Sequence, residues 1–190
     1  MNTREKLYKK ALTLFSENGY DYTSVSQIAD AMKLSKASLY HYMSSKQHLL
    51  FLIYRDFLEK HFIPIFDKAE EMSDPKERIG YIIYSLTMLA ATQPSAGILI
   101  QENRRLDAKY KQETEKVWAR AYQLIRDTIK ELQSSTCARK CNSAFSAFAL
   151  LGMTSFTFYW FDYKRKESAE ELAKTLSDIY LKGLLTGSGQ

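Results

Sequence analysis

The chain has 190 residues, a formal net charge of +5 at pH 7, and only 7 glycines and 3 prolines. So few helix breakers, beside many Leu, Ala, Lys and Glu residues, favour an all-α protein over a sheet protein. The basic balance is compatible with a polyanionic partner, since seven Lys/Arg against four Asp/Glu fall within residues 1–50. An ordinary solvated surface would also give that excess.

Two segments bear on where the protein is located. Residues 1–16 alternate charged and apolar side chains and lack the apolar run of a signal peptide. Residues 144–161 are uncharged over 18 positions, which approaches the length of a membrane span. This segment contains Ser and Thr, however, and its aromatic residues crowd one end. A helix that is apolar nearly all round is also typical of a protein interior, so we expect no membrane insertion and a cytoplasmic location.

The first two helices are indicated by apolar spacing and by their end signals. One helix is predicted over residues 3–18, with Gly19 as its C-terminal stop. The second helix begins with Thr23 as N-cap or, in an alternative register, with a capping box formed by Ser24 and Gln27. Its apolar residues are spaced to pack against the first helix.

A tight turn follows the second helix and leads into a third. Lys33 occupies that turn, and a positive φ there would carry a strain of roughly 1 kcal/mol. Ser35 can cap the third helix, which bears Leu39 toward the core. These elements predict a three-helix head, with a helix-turn-helix domain over 1–45, a larger helical body over 46–186 and a disordered tail over 187–190.

The body is predicted to consist of helices joined by short breaks. These are a helix from Ser45 that Pro64 interrupts or kinks, a helix from Asp74-Pro75 through Leu89, a loop over 93–97, a short helix over 98–105, a long helix over 107–133, an apolar helix over 138–163, and a last helix over 168–186 that begins at Ser168.

The sequence shows no arrangement typical of catalysis or metal binding. Cys137 and Cys141 lie four apart in a predicted helix start, and the three histidines share no ligand spacing with them. The two thiols are therefore interpreted as small buried hydrophobes. No nucleophile motif, phosphate loop or metal cluster is present, so we expect no catalytic residues, no metal and no cofactor.

The head closely resembles the TetR family of helix-turn-helix regulators. The matching residues are Arg4, Ala11, Leu14-Phe15, Gly19-Tyr20, Thr23-Ser-Val25, Ile28-Ala29, Ser35-Lys-Ala-Ser-Leu-Tyr-His-Tyr42 and Ser45-Lys46. The match keeps one register over more than forty residues and includes apolar and polar positions together. The sequence departs from the family pattern at Lys33 and Ala37, where Gly is frequent, and at Met43, where Phe is frequent.

The resemblance implies that the third helix enters the major groove of DNA. Small residues at its start would allow a close approach of the backbone, and Lys36 would contact a phosphate or a guanine. Lys46 and Thr23 would hold the DNA backbone. The predicted DNA contacts are Thr23, Ser35, Lys36, Ala37, Ser38, Tyr40, His41, Tyr42 and Lys46.

The body carries a second resemblance, to the branch of the family that senses acyl-CoA thioesters. The similar residues are Glu102-Asn-Arg-Arg-Leu-Asp107, Tyr110, Trp160-Phe-Asp-Tyr163 and Ser168-Ala-Glu-Glu-Leu172. An acyl-CoA needs an apolar tunnel and cations for its phosphates. The predicted ligand-binding residues are Tyr84, Met88, Arg104, Arg105, Trp118, Arg126, Phe156, Tyr159 and Trp160. Two alternatives stay open: the aromatic residues belong to the core or a dimer interface, and the Arg pair binds Glu102 and Asp107.

The last two helices are predicted to form a homodimer through a four-helix bundle. The sequence therefore predicts a transcriptional repressor, not an enzyme, that binds palindromic double-stranded operator DNA. An apolar small molecule, either an acyl-CoA or another apolar or aromatic effector, would release it. The alternative is a small-molecule carrier whose head serves only in assembly.

Overall fold

The computed structural model describes residues 2–93, 96–135, 137–161 and 168–185, which form an all-α protein without a β-strand among them. The helices are α1 (Thr3–Asn18), α2 (Val25–Met32), α3 (Lys36–Tyr40), α4 (Lys46–Phe57), α5 (Ile63–Glu70), α6 (Pro75–Thr92), α7 (Ala96–Glu102), α8 (Ala108–Ser134), α9 (Ser143–Trp160) and α10 (Ser168–Leu184). A π-helical segment (Leu58–Phe62) precedes α5, and a 3-10 turn (Asn103–Arg105) follows α7.

The chain divides into two compact units, and the division does not follow the order of the sequence. The head unit comprises residues 1–57 and 95–114, and the body unit comprises residues 58–94 and 115–190. The head unit is therefore larger than the head predicted over 1–45. It also contains α4, α7, the 3-10 turn and the start of α8.

The core of the head unit is apolar and draws on each of its first four helices. Leu7, Ile28, Leu39 and Leu49 are fully buried, one on each of α1, α2, α3 and α4. The predicted bounds of α1 are confirmed, with a capping box at Asn2 and Gly19 at a positive φ of 83° after its end. A positive φ favours glycine because a Cβ would clash with the backbone.

The predicted interruption at Pro64 takes the form of a change in helix type. Residues 58–62 form a single π-helical turn, and Pro64 then lies in the first turn of α5. Proline is tolerated in a first helical turn because the N–H that it lacks has no intrahelical partner there. The chain thus stays helical through this region.

The body unit is organised around α6, which packs against α5, α9 and α10. The predicted start of α6 is confirmed, because Asp74 caps it by accepting the Lys76 backbone N–H at 2.8 Å. Ile79, Ile82 and Ile83 on this helix are fully buried. Arg78 ties α6 to α8 through Thr128 Oγ1 (3.2 Å) and Glu131 Oε2 (2.8 Å).

The predicted start of the apolar helix was wrong. Helix α9 begins at Ser143, five residues later than position 138, because the Asn142 side chain caps it by accepting the backbone N–H groups of Ala144 and Phe145. Cys137 and Cys141 therefore precede the helix. The prediction of buried thiols was also wrong for Cys137, which is exposed, and Cys141 is half-buried.

Several predicted features lie outside the described residues. They are the tail over 187–190, two residues of the loop over 93–97, and the Asp162-Tyr163 part of the second resemblance. No single helix in the described part of the chain is long and apolar enough to cross a membrane, although α6 with the segment up to Arg105 passes the same test as a bent pair.

Candidate nucleic-acid interface

The segment from Ser35 to Tyr42, here called the recognition segment, presents polar and basic side chains around one buried anchor. Leu39 is fully buried, which confirms that it faces the core. Ser35 is the N-cap of α3, and its Oγ accepts the Ser38 backbone N–H at 3.1 Å. Ser38 and Tyr42 are half-buried. The exposed members are Ser35, Lys36, Ala37, Tyr40 and His41.

The turn before the recognition segment is held by Lys33 in a left-handed conformation. Its φ of 55° confirms the predicted turn position and carries a strain of about 1 kcal/mol for a residue with a Cβ. The turn closes α2 because the Lys33 N–H is directed at the carbonyl oxygens of Ala29 and Asp30, and the Leu34 N–H donates to Ala29 at 3.0 Å. These bonds satisfy the last carbonyl groups of α2.

The capping box at Ser24, the alternative register, is the one that the structure adopts. Ser24 Oγ accepts the Gln27 N–H at 3.2 Å, and Gln27 Oε1 accepts the Ser24 N–H at 2.7 Å. Thr23 is therefore not the N-cap of α2. The prediction of a DNA contact by its side chain was also wrong, because Thr23 is 0 % exposed and its hydroxyl donates to the carbonyls of Leu14 and Gly19.

Lys46 points into the head unit. Its Nζ donates to the carbonyl oxygens of Tyr20 (2.9 Å), Asp21 (3.3 Å) and Thr23 (3.1 Å). The same ammonium lies 4.4 Å from the centre of the Tyr20 ring, in a cation–π contact. An ammonium has three donors, and all three are satisfied here. The structure thus contradicts the prediction of a phosphate contact by Lys46 and makes it a structural cation.

A segment distant in sequence completes the head unit. Arg105 pairs with Asp21 in the loop between α1 and α2, at 2.8 Å, and with Glu102, which is buried. The open alternative for the Arg pair is thus confirmed for Arg105 and Glu102, with Asp21 as the second partner. Both of these contacts are carboxylates, and the role of Arg105 in a ligand site stays a prediction. Arg104 is exposed in the same unit.

The carboxylates around the loop between α1 and α2 also affect Tyr20. Burial, followed by the charges of Asp21 and Glu102, raises the pKa of the Tyr20 phenol to about 12. Tyr20 packs edge-on against Phe15, with ring centres 5.0 Å apart. This tyrosine is thus a neutral core residue at physiological pH.

The predicted ligand-binding residues fall in both units. Arg104 and Arg105 belong to the head unit, whereas the other seven belong to the body unit. Met88 packs against the cluster of Ala91, Phe161 and Ala169. The Trp118 ring lies 4.5 Å from that of Phe62. The other predicted ligand-binding residues of the body unit are Tyr84, Arg126, Phe156, Tyr159 and Trp160.

The aromatic residues near the end of α9 face solvent. Phe156 is 63 % exposed, Tyr159 56 % and Trp160 52 %. Side chains this exposed do not line a closed tunnel within the described part of the chain, and ligand contact by these three stays a prediction. Phe145 and Phe148 are exposed on the same helix. The open alternative of an interface explains this exposure better than a core does.

Arg126 is the cation of the predicted ligand set that lies in the body unit. It stacks over the Tyr122 ring at 5.7 Å, and its Nε lies 3.6 Å from Asp127 Oδ1. That buried Nε has no hydrogen-bond partner among the described residues. Tyr84 is slightly more than one-third exposed on α6.

A groove of about 460 Å³ is lined by residues of α9 and α10. Its apolar lining includes Ala149 and Met153, and Cys141 also contributes to it. The Tyr180 hydroxyl donates to the Ser146 carbonyl at 2.9 Å across the two helices. Burial, followed by the proximity of Cys141, raises the pKa of Tyr180. Among the described residues, no group of three or more His, Cys, Asp or Glu is placed to hold a metal ion.

The capped, exposed α3 after the tight turn of α2 defines the class of this protein as a helix-turn-helix DNA-binding protein. Two family models match the chain. "Bacterial regulatory proteins, tetR family" covers residues 7–53, and "Tetracyclin repressor-like, C-terminal domain" covers residues 72–184. The chain belongs to the TetR family of transcriptional regulators, and the matching families are regulators, not enzymes.

One relative of this chain is also a transcriptional regulator of the helix-turn-helix type. The HTH-type transcriptional regulator HbdR of Aromatoleum sp. (strain CIB) is 30 % identical over 96 residues, which cover 50 % of this chain and 42 % of HbdR. The chain thus spans less than half of that relative.

Two solved structures share the fold. PfmR from Thermus thermophilus is 29 % identical with a TM-score of 0.87, covering 98 % of this chain and 100 % of that chain. AibR in complex with isovaleryl coenzyme A and operator DNA is 20 % identical with a TM-score of 0.86, covering 94 % of this chain and 97 % of that chain.

We expect Lys46→Met to lower the free energy of unfolding by about 1–3 kcal/mol, because three carbonyls lose their donor while the apolar stem is kept. Urea unfolding would measure the change. Lys36→Met is the matched control, since Lys36 is exposed and its replacement should change stability by less than about 0.5 kcal/mol. Equal stabilities of the two variants would contradict the structural role of Lys46.

Proposed function

We propose that the protein is a repressor that binds palindromic operator DNA as a homodimer through the recognition segment. An apolar effector, in the first place an acyl-CoA, releases it from DNA. The observation that carries this proposal is the exposed surface of α3, where Lys36, Tyr40 and His41 project from a helix that Leu39 anchors. A helix that served only the core would not need these exposed side chains.

The chemistry of the recognition segment suits a major groove. Ser35 and Ala37 are small, so the backbone of α3 can approach base edges closely. Lys36 can contact a phosphate or the O6 and N7 atoms of guanine. The Tyr40 hydroxyl can donate to a phosphate, and its ring can contact a thymine methyl. Lys46 and Thr23 are not part of this surface, since their polar atoms bind within the head unit.

We expect Lys36→Ala and Tyr40→Ala to weaken operator binding without changing thermal unfolding, because both side chains are exposed. If Lys36 contacts a phosphate, the slope of log affinity against log salt should fall by about one. Fluorescence anisotropy with the upstream region of the protein's own gene, measured over a salt series, tests this. Lys116→Ala, an exposed lysine of the body unit, is the control. If neither Lys36→Ala nor Tyr40→Ala weakened operator binding, the assignment of these residues as DNA contacts would be wrong.

The dimer is proposed to form through α9 and α10. Phe145, Phe148, Gly152, Phe156 and Tyr159 follow one another at helical spacing on a single exposed stripe of α9. A Cβ added at Gly152 would meet nothing within 4 Å in the protomer, so the middle of the stripe is open to close approach by a second helix. Aromatic stripes exposed on this scale are typical of interfaces.

Gly152→Glu is expected to convert the dimer into a monomer. The protomer has room for the larger side chain, and Glu has a higher helix propensity than Gly by roughly 0.5–1 kcal/mol, so the fold should be kept. Sedimentation at micromolar concentration gives the oligomeric state. Gly152→Ala improves helix propensity, adds only a methyl group and no charge, and should remain dimeric. A monomeric wild-type protein, or a dimeric Glu variant, would exclude this interface.

An acyl-CoA is proposed as the effector on the chemistry of the body unit. Tyr84, Met88 and Trp118 are candidates for acyl-chain contacts. The buried Nε of Arg126, which has no hydrogen-bond partner among the described residues, is a candidate for phosphate binding. The fold is shared with AibR, whose structure contains isovaleryl coenzyme A. To release DNA, the ligand must bind the form that does not bind DNA more tightly. Each tenfold shift requires about 1.4 kcal/mol of differential affinity.

Calorimetry with free fatty acid, CoA and a medium- or long-chain acyl-CoA is expected to show tight binding of the acyl-CoA alone. Arg126→Met should weaken binding of the acyl-CoA but leave any residual binding of the fatty acid unchanged, because the fatty acid has no phosphate. Lys130→Met, an exposed lysine on the same helix, is the matched control. If none of the three binds, and another apolar or aromatic compound releases the DNA, the acyl-CoA assignment is wrong.

A further inference from the structure

His48 forms a reciprocal pair of hydrogen bonds with the two residues before α4. Its Nδ1 lies 3.0 Å from the Ser44 backbone nitrogen, which donates to it, and 3.0 Å from Ser44 Oγ. Its own backbone N–H donates to Ser45 Oγ at 2.9 Å. The arrangement is a variant of the capping box in which an imidazole takes the place of the usual Glu or Gln and accepts the N–H of Ser44, the residue before the capping Ser45.

These bonds connect the end of the recognition segment to the first turn of α4. Helix α3 ends at Tyr40, and α4 begins at Lys46, so a short connection joins them. Within it the Tyr42 N–H donates to the Leu39 carbonyl at 2.9 Å, and Met43 is buried in the core. The bond from Ser44 to His48 therefore holds the end of this connection against the first turn of α4.

The imidazole is held by an aromatic stack that comes from elsewhere in the head unit. Its ring is nearly parallel to that of Tyr110, with centres 5.8 Å apart, and Tyr110 stacks on Phe51 at 4.4 Å. Two cations already occupy this stack, since Lys109 Nζ lies 4.6 Å from the Tyr110 ring centre and Arg55 Cζ lies 5.4 Å from that of Phe51. A third cation within the stack would be repelled by both.

Protonation of His48 would break the bond from the Ser44 backbone. Nδ1 accepts that N–H and must therefore carry no proton, so the neutral ring has its proton on Nε2. In the imidazolium both nitrogens are donors. Nδ1–H could then donate to Ser44 Oγ, but the Ser44 N–H would lose its acceptor. Burial, followed by the charges of Lys109 and Arg55, lowers the pKa of His48.

We propose that neutral His48 is a positioning residue for DNA binding, because it fixes the exit of the recognition segment, and that its protonation weakens the complex with operator DNA. The inference rests on the proposed function, since it presumes that the recognition segment binds DNA. The chemistry is a proton equilibrium at Nδ1 and requires no ligand other than water. Tyr110 acts through His48 by holding its ring in place.

The direction of the effect on stability follows from the lowered pKa. The unfolded chain binds a proton at His48 near pH 6.5, whereas the folded head unit binds it at a lower pH. Between these two values the unfolded state holds more protons, so stability falls as the pH falls below about 6.5. Above that pH both states have a neutral ring, and the contribution does not change.

The test must separate His48 from His41, which is exposed in the recognition segment. Protonation of His41 would add a positive charge near DNA and strengthen binding, opposite to the effect proposed for His48. Both proteins compared therefore carry His41→Gln. The second also carries His48→Gln, which supplies a neutral acceptor that does not titrate. Gln27 plays this part in the capping box of α2, where it accepts the Ser24 N–H at 2.7 Å.

Operator affinity is measured for both proteins from about pH 7.5 to about pH 4.5, a range that extends below the titration of an ordinary histidine because the pKa of His48 is lowered. We expect similar affinities at the upper end. At the lower end the protein with His48 should lose about fivefold more affinity than the Gln variant, as for the loss of one neutral hydrogen bond. Superimposable pH profiles, or a larger loss in the Gln variant, would overturn the proposal.

A second readout does not depend on DNA. Proton NMR titration of the imidazole should give His48 a pKa below 6.5, and Tyr110→Ala should move it back toward that value. A His48 pKa at or above 6.5 would overturn the proposal. If the wild-type protein does not bind operator DNA at any pH, the proposed function fails, while the NMR titration and the pH dependence of unfolding still decide whether neutral His48 holds the connection between α3 and α4.

Discussion

The Lys46 ammonium is the contact on which the rest of the head unit depends. The loop between α1 and α2 turns three carbonyl oxygens toward one point, those of Tyr20, Asp21 and Thr23, and Lys46 donates to all of them. The contacts to Tyr20 and Thr23 are partly buried, and a carbonyl oxygen that is buried without a partner costs about 1–3 kcal/mol. Since Lys46 is also the first residue of α4, the same contact fixes the start of that helix.

The recognition segment gains its position from contacts on both sides. The left-handed Lys33 sets the turn before α3, and the hydrogen bonds between Ser44 and His48 set the exit after it. Leu39 anchors the short helix between these two points. A helix of five residues has little stability of its own, so tertiary contacts must hold it.

Residues 96–114 extend the head unit beyond the part that resembles a helix-turn-helix domain. Glu102 is buried, and a buried carboxylate requires a partner, which Arg105 provides together with the link to Asp21. Tyr110 adds the aromatic contact to His48 and Phe51. A segment that follows α6 in sequence therefore belongs, in its packing, to the unit that contains the recognition segment.

Much of the architecture could be predicted from the sequence, because it depends on local signals. Helical spacing and end signals correctly gave α1 and the start of α6, and they gave the capping box at Ser24 as the alternative to Thr23. Leu39 was correctly placed in the core. The TetR family was recognisable because the head keeps its apolar and polar positions in one register. These features depend on residues within a few positions of each other, which is the range over which capping and periodicity act.

Only the tertiary structure decided how side chains distant in sequence are used. A lysine at a helix start and a threonine before a helix are residue types that often contact DNA phosphates. In the folded chain, however, Lys46 and Thr23 donate to backbone carbonyls. Arg105 lies next to Arg104 in a sequence typical of a ligand site, yet its partners are Asp21 and Glu102. The aromatic residues of α9 could equally line a core or an outer face. Helical spacing shows that they share one face of the helix, but it does not show whether that face packs inside the protomer or faces outward. Those outcomes depend on which groups the folded chain brings within hydrogen-bond distance, and spacing along the sequence does not contain that information.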